Sequence, residues 1–310
     1  SYTTLSETMA TNNSFYYDYD EDYYSDDCSK YEVIAFGSFA TPIILCRMTI
    51  LNLFGNLLVL VILIKYENLK SMTNCFIFNL ALSDLMFTLG LPFWTFYLLL
   101  EWTLGDTICK MVNFVFYAGF YSSVLFLTVM TLQRYRAVVY PLSDRGENRK
   151  HFALALTLLV WALSVVAAMP ATLHNKVQTH NNESHCQYDD LRWKKAAAYQ
   201  QNIFFFIAFG IMCFCYSRIL QTVLKSPSSK KIRTVKLIFV IVVVFLVGWA
   251  PYNIVIFLQS LSDQNPFNDC NVSIRLDYAF YLCRLIAFSH CCLNPVFYAF
   301  LWKASESDHS

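Results

Sequence analysis

Seven stretches of the chain are each apolar and long enough to cross a hydrocarbon layer, and they leave little else from which a fold could be made. A layer about 30 Å thick takes roughly 20 helical residues. The stretches lie near residues 33–64, 71–100, 106–139, 152–172, 195–225, 230–261 and 274–301, separated by short polar segments. Inside lipid every backbone amide needs an internal partner, so the choice is between helices and a closed strand barrel. Barrel strands alternate apolar and polar positions over about ten residues, and these runs do not alternate. The expected fold is therefore an all-α membrane protein, a bundle of seven transmembrane helices. A soluble core would not need 56% apolar residues and only 15% charged ones in a chain of 310. Residues 1–32 read as an acidic, tyrosine-rich tail, 33–301 as the helical domain and 302–310 as a short tail.

The first thirty residues are acidic and aromatic rather than basic and then apolar, so no cleavable signal peptide is expected and the first helix inserts the chain. Lys65 and Lys70 follow the first helix, and Arg134, Arg136, Arg145, Arg149 and Lys150 follow the third. Arg218, Lys225, Lys230, Lys231, Arg233 and Lys236 lie between the fifth and sixth with no acid among them. Loops rich in lysine and arginine stay in the cytoplasm. The amino terminus is then outside, and the expected location is the plasma membrane.

Four of the eleven cysteines, Cys28, Cys109, Cys186 and Cys270, fall on this outer side, where disulfides persist. They allow three pairings, among which the sequence does not choose. Cys46, Cys75, Cys213, Cys215, Cys283, Cys291 and Cys292 sit within helices and read as packing residues rather than metal ligands. The glycosylation sequons at Asn12, Asn182 and Asn271 fall on the same outer face. His151, His174, His180 and His185 read as ordinary histidines of loops and membrane surfaces, not a metal cluster.

The tail from Phe15 to Asp27 interleaves Tyr16, Tyr17, Tyr19, Tyr23 and Tyr24 with acids. Such a segment cannot bury a core alone. One reading is a solubilising leader; the other is a sulfatable arm that steers and holds a basic ligand, for which its rings argue.

Polar residues inside membrane helices are expensive and are functional candidates by default. In chain order they are Gly55-Asn56, Leu80-Ala81-Leu82-Ser83-Asp84, Gln133-Arg134-Tyr135, Trp161, Tyr216, Phe245 with Trp249 and Pro251, and Asn294-Pro295-Val296-Phe297-Tyr298. This succession resembles the rhodopsin-like G-protein-coupled receptors over nearly the whole chain. The resemblance implies a switch built from Phe245, Trp249, Pro251, Asn294, Pro295 and Tyr298. It also implies a G-protein contact at Arg134, Tyr216 and Lys231, and water or a sodium ion at Asp84, Ser123 and Asn294. Asp84 needs partners in any case, and Asn56, Ser123, His290 and Asn294 are the candidates. Pro251 and Pro295 remove helix hydrogen bonds and create kinks that can act as hinges. No bond is made or broken in this mechanism, so no enzyme is expected, and no nucleic-acid partner.

Thr88-Leu89-Gly90-Leu91-Pro92-Phe93-Trp94, and then Glu101-Trp102-Thr103-Leu104-Gly105-Asp106 before Cys109, resemble chemokine receptors. An amine receptor would carry an aspartate in the outer half of helix three, where this chain has Asn113, Phe116, Tyr117, Phe120 and Tyr121. The run Cys283-Arg284-Leu285-Ile286-Ala287-Phe288-Ser289-His290-Cys291-Cys292-Leu293-Asn294-Pro295 is most similar to the XC (lymphotactin-receptor) type. So are Arg233–Phe239 and Pro251-Tyr252-Asn253. The resemblance implies disulfides Cys109–Cys186 and Cys28–Cys270, an XC-type chemokine as ligand and an inhibitory-class heterotrimeric G protein as partner. It implies signalling to chemotaxis and calcium release. Ligand contacts are expected from the five tail tyrosines and from Trp94, Tyr117, Tyr121, Tyr252, Gln259 and Arg284. Arg284 stands where many relatives have a glutamate and should repel a basic ligand terminus, so a different anchor is expected.

Gln133 replaces the usual aspartate beside Arg134, which loosens the resting lock and raises the alternative of a non-signalling chemokine scavenger. Arg47 in helix one has no obvious partner. The sequence ends at Ser310 without a basic eighth helix, so either it is truncated or arrestin docking and lipid anchoring are weakened. A transporter or channel is disfavoured by the lack of internal repeats and of an ionisable pathway.

Overall fold

The computed structural model of the chain describes residues 30–66, 71–99, 102–141, 149–180, 183–225, 229–262 and 264–296. Seven long helices are found among them: α1 Tyr31–Lys65, α2 Met72–Leu99, α3 Gly105–Val139, α4 Arg149–His174, α5 Leu191–Lys225, α6 Ser229–Gln259 and α7 Cys270–Phe288. Each carries a stretch long and apolar enough to span a membrane. The expected spans agree closely, except that α5 opens at Leu191 rather than 195 and α7 at Cys270 rather than 274. Helix formation here begins in polar turns that hydropathy passes over. For α7 the Asp269 side chain caps the start, accepting from the backbone N–H groups of Asn271 and Val272 at 3.0 and 3.2 Å.

The helices close into a ring in chain order, α1 packing on both α2 and α7, with α3 set inward against α2, α4, α5 and α6. Burial reports the same arrangement: 78% of the most apolar window of α3 is buried, against 22% for α1. Outward faces remain apolar, as at Phe39, Phe54, Leu158, Ile203, Phe214 and Leu224, because lipid rather than water meets them. Arg47 lies on the exposed side of α1. Two glycines permit close helix contacts. A Cβ on Gly119 would lie 2.9 Å from the Cβ and 3.0 Å from the backbone nitrogen of Phe87, and one on Gly55 would lie 2.9 Å from Pro295 Cγ.

α7 is interrupted at Ser289 and resumes over 290–296. Two side chains compete locally for its carbonyls: Ser289 Oγ donates to Ile286 O at 2.6 Å, and His290 Nδ1 lies 2.7 Å from Ala287 O. Pro295 then has no N–H for the carbonyl of Cys291. Asn56 of α1 supplies one, its Nδ2 donating to that oxygen at 3.1 Å.

The helical reading did not anticipate an antiparallel hairpin between α4 and α5, β1 Asn175–His180 and β2 Glu183–Tyr188, with Val177 opposite Cys186. It caps one end of the bundle. Cys186 bonds to Cys109 in the first turn of α3, Val177 N–H donates to Asp106 Oδ1 at 3.1 Å, and Trp102 N–H donates to Ser184 O at 2.9 Å.

Candidate functional site

Beneath the hairpin, aromatic side chains from α2, α3, α6 and α7 form a continuous column. Tyr117 meets Tyr188 of β2 through their hydroxyls at 2.9 Å and stacks on Tyr121 with ring centroids 6.3 Å apart. Phe116 contacts Tyr117 at 5.0 Å and Phe288 at 5.6 Å, and Trp94 lies edge-on to Phe116 at 6.4 Å. Trp249 is the hub, with Phe120 at 4.6 Å, Tyr252 at 5.6 Å, Phe245 at 6.0 Å and Phe288 at 6.1 Å. Offset and edge-on contacts of this kind hold rings in defined relative positions.

Several charged groups of this end have partners. Arg284 is buried with its guanidinium carbon 5.1 Å above the Phe280 ring and 5.4 Å from the Tyr281 ring. Lys30 Nζ lies 2.9 Å from Asp277 Oδ2 and donates to Ser273 Oγ at 2.6 Å; Gln259 Nε2 reaches Asp277 Oδ1 at 3.4 Å. Neither Lys30 nor Asp277 stood out in the sequence, since a helix-edge lysine and aspartate look like surface residues. His185, read as a surface histidine, is buried and bonded to Tyr97 through Nδ1 and the hydroxyl at 3.0 Å. His174 stacks on Trp193 at 3.7 Å and pairs with Asp189 at 3.3 Å. Although burial opposes it, Lys176 and His174 hold the Asp189 carboxyl below the usual carboxylate range.

Midway along the bundle, Asp84 is fully buried. Asn294 Nδ2 donates to its Oδ2 at 2.7 Å, His290 Nε2 lies 3.5 Å from its Oδ1, and Cys291 Sγ donates to Oδ1 at 3.5 Å. Two of the four expected partners, Asn294 and His290, are therefore there. Asn56 instead serves Cys291 O, and among the described residues no hydrogen bond joins Ser123 to Asp84. Cys291, read from sequence as packing, is a member of the cluster. A sodium ion wants oxygen donors, whereas Asp84 here faces an imidazole nitrogen, a thiol sulfur and an amide nitrogen. The set does not suit that ion.

Above this cluster, Trp249 Nε1 donates to His290 Nδ1 at 3.1 Å, so a single residue, His290, stands between the aromatic hub and the buried carboxylate. At the opposite end from the hairpin, Arg134 Nη2 is hydrogen-bonded to Thr73 Oγ1 of α2, a restraint the sequence did not suggest. Tyr216 is buried edge-on against Phe239 at 5.2 Å.

Residues 55–298 match the family described as 7 transmembrane receptor (rhodopsin family). Human Chemokine XC receptor 1 is 42% identical over 287 residues, which are 93% of this chain and 84% of that protein. The mouse Chemokine XC receptor 1 is 42% identical over 291 residues, 92% and 86% of the two chains. The chain belongs to the chemokine receptors of the rhodopsin family. Human C-C chemokine receptor type 4 is a more distant match, 36% identical over 304 residues, 96% of this chain and 83% of that one.

This chemokine receptor is accordingly a receptor and not an enzyme, and a multi-pass protein of the plasma membrane. Of its expected site residues, Trp94, Tyr117, Tyr121, Tyr252, Gln259 and Arg284 gather toward the hairpin end, and Phe245, Trp249 and Pro251 continue from them into the bundle. Cys109–Cys186 is formed, and Cys270 is disulfide-bonded to a residue outside the described ones. Asn271 is exposed in the first turn of α7. Tyr16, Tyr17, Tyr19, Tyr23, Tyr24, Asn12, Cys28, Asn182 and Tyr298 lie outside the described residues, as does the side chain of Lys231.

Proposed function

We propose that this chemokine receptor binds an XC-type chemokine and passes the signal to an inhibitory-class heterotrimeric G protein, driving chemotaxis and calcium release. The likeness to two chemokine XC receptors across nearly the whole chain carries this reading. The hairpin end faces outward and the basic loops face the cytoplasm. The acidic tyrosine tail, glycosylated at Asn12, the loop bearing Asn182 and the start of α7 bearing Asn271 form the outer rim. The tail draws in the basic ligand, its tyrosines sulfated, while Cys28–Cys270 ties it to α7.

Arg284, packed on two rings, disfavours a basic ligand terminus at its position, so the ligand is gripped by the surrounding aromatic groups of Trp94, Tyr117, Tyr121 and Tyr252 and by the amide of Gln259. Ligand binding shifts the population toward a form in which Trp249 and Phe245 move, Pro251 and Pro295 act as hinges with Asn294 and Tyr298, and α6 swings outward. Arg134, Tyr216 and Lys231 then meet the G protein, and arrestin and membrane lipid are further partners.

Purified XC-type chemokine should drive nucleotide exchange on an inhibitory-class G protein reconstituted with this receptor; silence across a panel of chemokines that do bind would overturn the coupling. One observation favours a second reading: Gln133 beside Arg134 cannot form the ion pair of relatives. Ligand uptake without exchange supports that scavenging role.

A further inference from the structure

We infer that the lipid-facing side of α1 around Arg47 is a docking surface for a transmembrane helix of another membrane protein, one that presents a glutamate or aspartate carboxylate at the depth of Arg47. The inference goes beyond the proposed function and does not depend on which chemokine or G protein the receptor uses.

Arg47 is exposed on α1, and among the described residues it forms no hydrogen bond, ion pair or ring contact. Within two turns on the same face stand Ile43, Ile50, Leu51 and Phe54, which are 46%, 68%, 60% and 73% exposed. The span Ala35–Lys65 covers 31 residues, about 46 Å of helix. Arg47 lies about 5 Å from its middle, and so about 10 Å inside the nearer face of a hydrocarbon layer of about 30 Å centred on the span. That is deeper than an arginine side chain extends, which puts the lipid phosphates beyond that face out of its reach. Arginine keeps its charge in such surroundings, and a lone guanidinium there is costly. A facing carboxylate relieves the cost: its two oxygens match the guanidinium fork, and the attraction is strong where the dielectric is low.

A second copy of this chain does not supply that carboxylate. The acids of the seven spans are Asp84 and Asp277, both buried, and Asp106, which sits in the first turn of α3 and pairs with Lys110 at 2.8 Å. A two-fold contact through this face of α1 would also bring one guanidinium against the other. The face is open to a different helix. The most apolar window of α1 is 22% buried, the least of the seven, so a partner reaches Arg47 without displacing any element of the bundle. Its apolar side chains pack against Ile50, Leu51 and Phe54 while its carboxylate meets Arg47. The partner is thus marked by one acid near the middle of an otherwise apolar helix.

The experiment uses the full receptor in phosphatidylcholine nanodiscs, carrying a fluorescent donor, and acceptor-labelled synthetic transmembrane helices of leucine and alanine. The probes have a glutamate, a glutamine or a lysine at their centre, a position that serves either orientation. Energy transfer should report the glutamate helix binding about tenfold more tightly than the other two. Arg47→Leu should abolish that preference, and Arg47→Glu should transfer it to the lysine helix. Equal binding of the three probes, or a glutamate preference that survives Arg47→Leu, overturns the docking surface. Receptor self-association that depends on Arg47 assigns the face to a second copy and overturns it as well. So does solid-state magnetic resonance that finds a lipid phosphate, and not the glutamate, beside Arg47. Should Arg47→Leu fail to fold, Arg47→Gln with the same energy-transfer readout decides.

Discussion

Lys30, immediately before α1, lies 2.9 Å from Asp277 of α7, with side chains only 12% and 2% exposed. The pair joins the two ends of the helical ring, so the closure between α1 and α7 is ionic as well as packed. Ser273 and Gln259 complete the cage around the two charges.

Asp277→Asn leaves the Lys30 ammonium enclosed without its counter-charge and is expected to destabilise the receptor by roughly 3 kcal/mol. Thermal unfolding in detergent measures this. Adding Lys30→Met should recover part of the loss, and a double variant as unstable as the sum of the singles would show that the two charges do not interact.

Gly119→Ala forces a methyl group against the backbone of Phe87, which cannot swing aside as a side chain end can. α2 and α3 must separate, at a cost of about 1–3 kcal/mol. Gly90→Ala is the contrast, because its new carbon would meet Val115 Cγ2 at 3.4 Å and Trp94 Nε1 at 3.6 Å, ordinary contacts. Equal unfolding temperatures for the two variants would contradict the close approach.

Asn56→Ala should cost about 1 kcal/mol by leaving the Cys291 carbonyl without a donor. The effect should shrink in a Pro295→Ala background, where the helix regains its own N–H for that oxygen. A double-mutant cycle on unfolding temperature reads the coupling directly, and additive effects would remove the assignment.

Thr73→Val deletes a contact that holds Arg134 at the end of the bundle away from the hairpin. On the proposed function, ligand-independent nucleotide exchange should rise about fivefold for a contact of about 1 kcal/mol. Arg134→Ala should abolish exchange and spare ligand binding; parallel loss of both would refute its role.

Changing Tyr16, Tyr17, Tyr19, Tyr23 and Tyr24 together to phenylalanine should weaken ligand capture, most of all at low salt, where a sulfated arm acts over the longest range. Association rates measured at two ionic strengths test it, and identical rates to the parent receptor would take the tail out of the capture step.

Much of the site was legible in advance for a physical reason: a buried polar residue in lipid is rare enough to identify itself. Asp84, Asn294 and Arg134 drew attention that way, whereas Trp249 and Pro251 came from the family resemblance and the helix kink. What escaped were residues whose types are common in other roles. Cys291 looked like any small apolar residue, Thr73 like a helix-surface threonine, and Lys30 and Asp277 like solvated charges. The hairpin escaped because its strands are short and polar, with no membrane-length run to mark them.

The sequence by itself determined that seven helices cross a membrane and where each runs, because matching apolar length to layer thickness is a one-dimensional requirement. Only the tertiary structure decided how each helix is turned about its axis. Adjacent residues on a helix point about 100° apart, and packing against neighbours chooses between them. That choice buries Cys291 beside Asp84 and His290 while Cys292, next in the chain, turns toward α1 and Met48 O.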